Sequence, residues 1–154
     1  IALSPANEQS GCMSVLPGSH LKPPLPHDDR YHQDNMLTRG QEISVEVDPS
    51  KTARMALDPG EMSLHDVRLA HGSGPNNSAD RRIGFSIQYM PTCARQSLSE
   101  LDYATLVRGE DRYDHFQHAP RPRQALDSEA AHERASHVMR DILYQGADQN
   151  TVRL

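Results

Sequence analysis

Proline and glycine turns divide the first 91 residues of this chain into short segments. Clusters of turn-forming residues occur at positions 4–11, 17–20, 58–61 and 72–76. Between the turns, stretches such as 42–48 and 83–90 alternate apolar and polar residues, which is the period of a half-buried strand. Short strands joined in this way predict a mainly β fold, either a sandwich or a jelly-roll barrel.

The pattern changes after Pro91. Residues 92–124 are polar and irregular, and a single helix is predicted at about 128–144. Asp127 or Ser128 suits the N-cap of this helix, and Gly146 suits a left-handed residue just after its end. We therefore expect a β domain over residues 1–92, followed by an extension over 93–154 that contains one helix.

Composition limits the kinds of function that the chain can have. The chain has 154 residues, the length of one domain, and only 36% of them are hydrophobic. Its net charge of −5, without a basic stripe, gives no support to nucleic-acid binding. No apolar run reaches the roughly 20 residues that span a bilayer. The two cysteines, Cys12 and Cys93, are far apart, so we expect no disulfide framework and predict a cytoplasmic protein.

His71 is the strongest candidate for chemistry. A lone histidine is more often structural than a metal ligand. Here Gly72 and Gly74 follow it, and residues without a side chain let the backbone approach a bound group closely. This setting favours a metal ligand.

Arg82 lies eleven residues after His71, at the start of an alternating stretch. A guanidinium can hold a carboxylate through two parallel hydrogen bonds. If His71 ends one strand and Arg82 begins its antiparallel neighbour, the two side chains face the same cavity. Ser73 would add a hydroxyl to the carboxylate, and Arg81 competes with Arg82 for the role.

Three separated motifs carry a resemblance to a known family. They are GCMSVLPGSH at residues 11–20, HGSGPN at residues 71–76, and Arg82. In this order, and within residues 1 to about 92, they resemble the phytanoyl-CoA dioxygenase family. Members of this family are Fe(II)- and 2-oxoglutarate-dependent oxygenases built on a double-stranded β-helix. The resemblance therefore implies the C-terminal part of that jelly-roll domain.

The resemblance also implies the roles of several residues. His71 matches an iron-binding histidine, and Arg82 matches the arginine that pairs with the far carboxylate of 2-oxoglutarate. Ser73 matches a serine that assists this arginine, and residues 17–20 match a structural turn. The implied partners are a small-molecule substrate and dioxygen, with no nucleic acid and no membrane. No sequence feature indicates a particular substrate or oligomeric state.

The family's other two iron ligands come from an H-x-D motif. His32-Gln33-Asp34 has this spelling. However, the family's motif precedes the segment that resembles residues 1–20, whereas His32 follows it. A histidine-rich loop produces such a short motif by chance. We therefore expect the true pair to precede Ile1, keep His32 and Asp34 only as additional metal candidates, and predict that this piece is inactive alone.

Two alternatives remain open from the residues. The first is a jelly-roll module without redox chemistry, which uses Arg82 and the loop at 21–40 to bind a small carboxylate. The second is a purely structural β domain, with residues 92–154 as an interaction segment. Carboxylate binding that depends on Arg82 argues against the second, and a response of that binding to iron separates the enzyme from the first.

Overall fold

The computed structural model describes residues 1–30, 40–99, 102–119 and 137. Among these residues the secondary structure is mainly β, as expected from the alternating segments. The strands are β1 (Met13–Val15), β2 (His27–Asp29), β3 (Gln41–Ile43), β4 (Ala53–Met55), β5 (His71–Ser73), β6 (Tyr103–Ala104) and β7 (Gln117–His118). Two 3₁₀ helices occur, at Ser19–Leu21 and Pro49–Lys51. The helix predicted at 128–144 lies outside the described residues, apart from His137.

The chain divides into two units. Unit 1 consists of Ile1–Arg30 with Gln41–Gln88. The described residues of unit 2 are 40, 89–99, 102–119 and 137. The predicted boundary at residue 92 stays a prediction.

A three-stranded antiparallel sheet in the order β4-β1-β5 organises unit 1, and we call it the central sheet. Strand β1 is its middle strand, with Val15 opposite Ala53 on one side and His71 on the other. The polar turn before β1 is closed by reciprocal hydrogen bonds. The Asn7 amide donates to Ser10 Oγ at 2.9 Å, and the Ser10 amide donates to Asn7 Oδ1 at 3.0 Å. This turn delivers the chain into β1 at Gly11.

A second pairing in unit 1 joins residues 1–4 to residues 83–85, and we call it the terminal ladder. Ala2 forms an antiparallel bridge with Gly84. The Leu3 amide donates to the Ile83 carbonyl at 2.9 Å, and the Phe85 amide donates to the Ile1 carbonyl at 2.9 Å. The predicted strand at 83–90 is therefore reduced to this short pairing. The predicted strand at 42–48 is likewise reduced to β3, which forms an antiparallel pair with β2.

The described core is small and consists of small side chains. The buried hydrophobic residues are Ala2, Cys12, Val15 and Ala70. Val15 and Ala70 lie at the end of the central sheet where β1 meets β5, so two of these four buried residues adjoin His71.

Unit 2 contains a short parallel pair, β6 with β7. Beside β6, Gln96 Nε2 donates to Asp102 Oδ2 at 3.0 Å. In the described part of the chain, no helix is long and apolar enough to cross a membrane.

Candidate active site

Strand β5 carries the predicted site residues His71 and Ser73. Alternate residues of a strand point to the same side, so these two side chains share one face of the central sheet. Directly opposite residues of an antiparallel pair also share a face. The register pairs Val15 with His71 and Met13 with Ser73. The face that holds His71 and Ser73 is therefore lined by the apolar side chains of β1.

The imidazole of His71 is held by the backbone just before it. Its Nδ1 lies 2.7 Å from the carbonyl oxygen of Leu69. A carbonyl oxygen can only accept a hydrogen bond, so Nδ1 carries the proton in this contact. In the neutral ring, Nε2 then holds the free lone pair, and metal-binding histidines use this arrangement. The ring also makes an edge contact with the ring of His65, with centroids 5.6 Å apart.

Arg82 and Ser73 are in contact. Arg82 Nη2 donates to Ser73 Oγ at 3.3 Å, and both residues are exposed. Three other arginines of unit 1 pair with carboxylates: Arg30 with Glu42, Arg54 with Glu8, and Arg68 with Asp66. Within the described part of the chain, no carboxylate forms an ion pair with Arg82. A guanidinium without a counter-ion beside a hydroxyl offers several donors to an incoming carboxylate.

Arg82 reaches Ser73 by a route that differs from the sequence prediction. His71 begins β5 instead of ending a strand, and residues 83–85 pair with residues 1–4 instead of with β5. The side chain of Arg82 therefore spans from the end of the terminal ladder to the central sheet. Of the two candidate arginines, Arg82 contacts Ser73, whereas the backbone carbonyl of Arg81 accepts from Ser4 Oγ at 3.1 Å.

The described residues fit one ligand position of an iron site. With the proton on Nδ1, His71 has its Nε2 lone pair available, as a metal ligand requires. Over residues 1–30, 40–99, 102–119 and 137, however, no group of three His, Cys, Asp or Glu side chains could hold a metal ion. His32 and Asp34, the additional candidates, lie outside the described residues.

An ion pair braces the loop that leads into β5. Arg68 Nε and Nη2 donate to the two carboxylate oxygens of Asp66 at 3.1 and 3.2 Å. These hydrogen bonds from Arg68 lower the pKa of Asp66 from its usual 3.8 to about 2. Asp66 is therefore ionised at neutral pH, and both of its carboxylate oxygens accept hydrogen bonds from Arg68.

One contact beside the site has no local sequence signal. Ser19, in the turn that was predicted to be structural, accepts a hydrogen bond from the Ala70 amide at 2.8 Å. Ser19 and Ala70 are 51 residues apart, and both are buried.

Comparison with protein families identifies a match over the segment that carries these residues. The sequence model of the family described as Phytanoyl-CoA dioxygenase (PhyH) matches residues 1–84. This range includes both His71 and Arg82, and it covers more than half of the chain.

Two curated proteins are similar to this chain. One is described as a probable alpha-ketoglutarate-dependent hypophosphite dioxygenase of Stutzerimonas stutzeri, 33% identical over 91 residues, which are 58% of this chain and 32% of that protein. The other is the peroxisomal phytanoyl-CoA dioxygenase of Rattus norvegicus, 27% identical over 88 residues, which are 57% of this chain and 26% of that protein. The chain thus spans a third or less of the curated relatives that it matches.

A solved structure is also similar. It is the apo form of the non-heme monooxygenase ThoJ, with a TM-score of 0.79 and 31% sequence identity. The similarity covers 94% of this chain and 52% of that one. It supports the mainly β, jelly-roll class of fold that the strand pattern predicted.

Proposed function

The chain belongs to the phytanoyl-CoA dioxygenase family, and on this basis we propose that it forms part of an Fe(II)- and 2-oxoglutarate-dependent oxygenase. The proposed reaction is the hydroxylation of a small organic substrate by dioxygen. The cosubstrate 2-oxoglutarate is oxidised and decarboxylated to succinate and CO₂ in the same cycle.

The observation that carries this proposal is the contact between Arg82 and Ser73 beside His71. These residues place a guanidinium without a counter-ion, a hydroxyl and an imidazole with a free Nε2 near one face of the central sheet. A dicarboxylate whose one end chelates a metal needs a cationic anchor for its other end. Arg82 and Ser73 are proposed to supply that anchor, and His71 to supply one metal ligand.

The roles of the protein groups follow from their chemistry. His71 would hold one position of Fe(II), which, when bound, would supply the activation of dioxygen. Arg82 neutralises the far carboxylate, and Ser73 orients the guanidinium. The remaining metal ligands are proposed to come from outside the described residues, because those residues supply His71 without two further ligands beside it.

We propose a small molecule as the substrate and do not assign its chemical class. The two curated relatives are named for hypophosphite and for phytanoyl-CoA, which differ greatly in size and polarity. Their names share the word dioxygenase. The matched segment is therefore proposed to carry the cosubstrate anchor that such enzymes have in common.

The carboxylate anchor is tested by replacing one of two adjacent arginines. We expect Arg82→Ala to weaken binding of 2-oxoglutarate by about 10- to 100-fold, since a hydrogen bond to a charged group contributes about 1.5–3 kcal/mol. Arg81→Ala is the matched control and should leave the affinity within about threefold. Ligand-induced shifts of the Ser73 amide in ¹H–¹⁵N NMR spectra report the binding. Equal affinities of the two variants would contradict the proposed anchor.

Iron separates the enzyme from a carboxylate-binding module without redox chemistry. Succinate lacks the keto group, so iron held by the protein strengthens binding of 2-oxoglutarate without strengthening that of succinate. We expect the 154-residue chain alone to release no succinate from 2-oxoglutarate. Turnover that is abolished by His32→Ala would contradict this expectation and assign the remaining ligands to His32 and Asp34.

A further inference from the structure

A single peptide group connects Ser19 to the imidazole of His71. Its N–H belongs to Ala70 and donates to Ser19 Oγ at 2.8 Å. Its C=O belongs to Leu69 and accepts from His71 Nδ1 at 2.7 Å. The two hydrogen bonds therefore act on opposite ends of the same rigid amide plane.

Both backbone groups of Ala70 are held by residues that flank one turn. The Ser19 hydroxyl accepts from the Ala70 N–H, and the Leu16 amide donates to the Ala70 carbonyl at 2.9 Å. Gly18, in the turn between them, has a φ of 80°, a conformation that glycine adopts without steric cost. Pro17 and Gly18 thus set the position of the hydroxyl that reaches Ala70.

The hydroxyl of Ser19 influences the imidazole through this amide. Ser19 and Ala70 are both buried, so water does not replace the bond readily. An amide whose N–H is already hydrogen-bonded is polarised, and its carbonyl becomes a better acceptor. The Leu69 carbonyl is then both fixed in direction and strengthened as the acceptor for Nδ1–H of His71.

We propose that Ser19 is a positioning residue that fixes the Nδ1–H tautomer of His71. In this tautomer the lone pair is on Nε2, the atom available to a metal ion. The tautomer assignment stands on the two hydrogen bonds alone. Only the use of Nε2 as an iron ligand rests on the proposed function.

The test measures the tautomer directly, in the 154-residue chain without metal or 2-oxoglutarate. The imidazole ¹⁵N chemical shifts of His71 are recorded at about pH 8.5, where an ordinary histidine is neutral. In the wild-type chain we expect Nδ1–H to dominate. In Ser19→Ala we expect the ratio of Nδ1–H to Nε2–H to fall by about two- to tenfold: polarisation of the Leu69 carbonyl alone accounts for the lower figure, and loss of its hydrogen bond to Nδ1–H, when the released peptide turns away, for the upper one.

Three variants make the test specific. Ser19→Thr keeps a hydroxyl and should retain the wild-type ratio. Ser19→Cys keeps the size with a weaker acceptor and should give an intermediate ratio, which provides a measurement if Ser19→Ala does not fold. Ser10→Ala is the matched control, because Ser10 is equally buried at 6% exposure and bonds to Asn7 and Pro5 instead. It should leave the ratio unchanged.

Two results would overturn the proposal. One is a wild-type His71 that is mainly in the Nε2–H form. The other is an unchanged ratio in folded Ser19→Ala or Ser19→Cys. Since the readout needs neither iron nor a carboxylate, these results are independent of the Arg82 experiment, and either proposal can fail while the other stands.

Discussion

The central sheet and the terminal ladder differ in which of their apolar side chains are buried. In the central sheet, Val15 is buried at the end where β1 meets β5. In the terminal ladder, Ala2 is buried at 4% exposure, whereas its bridge partner Gly84 is exposed and has no side chain to bury. The neighbours of the bridged pair in sequence point to the other face, because strand residues alternate.

The exposed face of the terminal ladder is consequently the apolar one. Ile1, Leu3, Ile83 and Phe85 are between 41% and 58% exposed. Each of these side chains is thus far more exposed than Val15, which is 8% exposed, so a smaller fraction of its apolar surface is removed from water. The alternation of apolar and polar residues along a strand therefore predicts which side chains share a face. Whether that face is buried depends on whether another layer of the structure covers it.

The largest expected effect is at Gly11, which enters β1 with a φ of 70°. A Cβ at this position would lie 2.5 Å from the Gly74 oxygen and 2.8 Å from the Pro75 oxygen, both of them backbone atoms just after β5. We expect Gly11→Ala to lower the free energy of unfolding by more than about 3 kcal/mol, since the steric overlap adds to the cost of the left-handed backbone. Urea denaturation followed by circular dichroism measures the change.

Gly18→Ala is the matched control for Gly11→Ala. Its φ is 80°, and a Cβ there would meet nothing within 4 Å. This substitution should lower the free energy of unfolding by only about 1–2 kcal/mol, the cost of placing a residue with a Cβ in the left-handed conformation. Equal losses of stability in the two variants would show that the loop before β1 and the loop after β5 are not in contact in solution. The central sheet would then not be packed as tightly as the structure indicates.

An intermediate effect is expected from a direct comparison of the two regions. Val15→Ala should lower the free energy of unfolding by about 2 kcal/mol, because it removes two buried methyl groups and leaves a cavity. Phe85→Ala removes a larger side chain, yet it should cost less than about 1 kcal/mol because the ring is mostly exposed. A loss in Phe85→Ala as large as that in Val15→Ala would mean that the ladder face is covered in solution.

The smallest effect is expected at the ion pair on the loop before β5. The Arg68 guanidinium lowers the pKa of Asp66 to about 2, so the pair stabilises the fold above the unfolded value of 3.8. This contribution is lost as the pH falls from 3.8 through about 2. We expect Arg68→Gln to raise the pKa of Asp66 toward 3.8, as followed by the ¹³C shift of its carboxyl group.

Arg112→Gln provides the control for this titration. Arg112 pairs with Glu110 at the same two-residue spacing, at 2.9 Å. Its replacement should leave the pKa of Asp66 unchanged. If Asp66 titrates near 2 even in Arg68→Gln, the ion pair is not the cause of the low pKa, and the loop is held by its backbone hydrogen bonds instead.

The sequence pattern predicted a strand best where that strand has a hydrogen-bonded partner strand on each side. The segment between the predicted turns at 4–11 and 17–20 contains β1, which pairs with both β4 and β5. The stretch at 42–48 alternates more cleanly, yet only its first residues form β3, with the single partner β2. Backbone groups need partners, and a pattern within one segment does not specify how many partners it will find.

The candidate site was also predictable in part. The period of a strand already places His71 and Ser73 on one face, and the family resemblance singled out Arg82. The resemblance treated residues 17–20 as a structural turn, whereas Ser19 contacts the peptide before His71. Such a contact joins segments 51 residues apart, and no local periodicity encodes it.

By itself, the sequence determined where the chain turns and which side chains share a strand face, because these properties depend on the backbone preferences of neighbouring residues. The left-handed glycines Gly11 and Gly18 and the pair His71 and Ser73 belong to this class. Only the tertiary structure decided that Arg82 reaches Ser73 from the terminal ladder and that Ser19 holds the peptide beside His71. These contacts join residues that are far apart in the chain, whereas backbone preferences act between neighbouring residues, so only the packing of unit 1 brings the partners together.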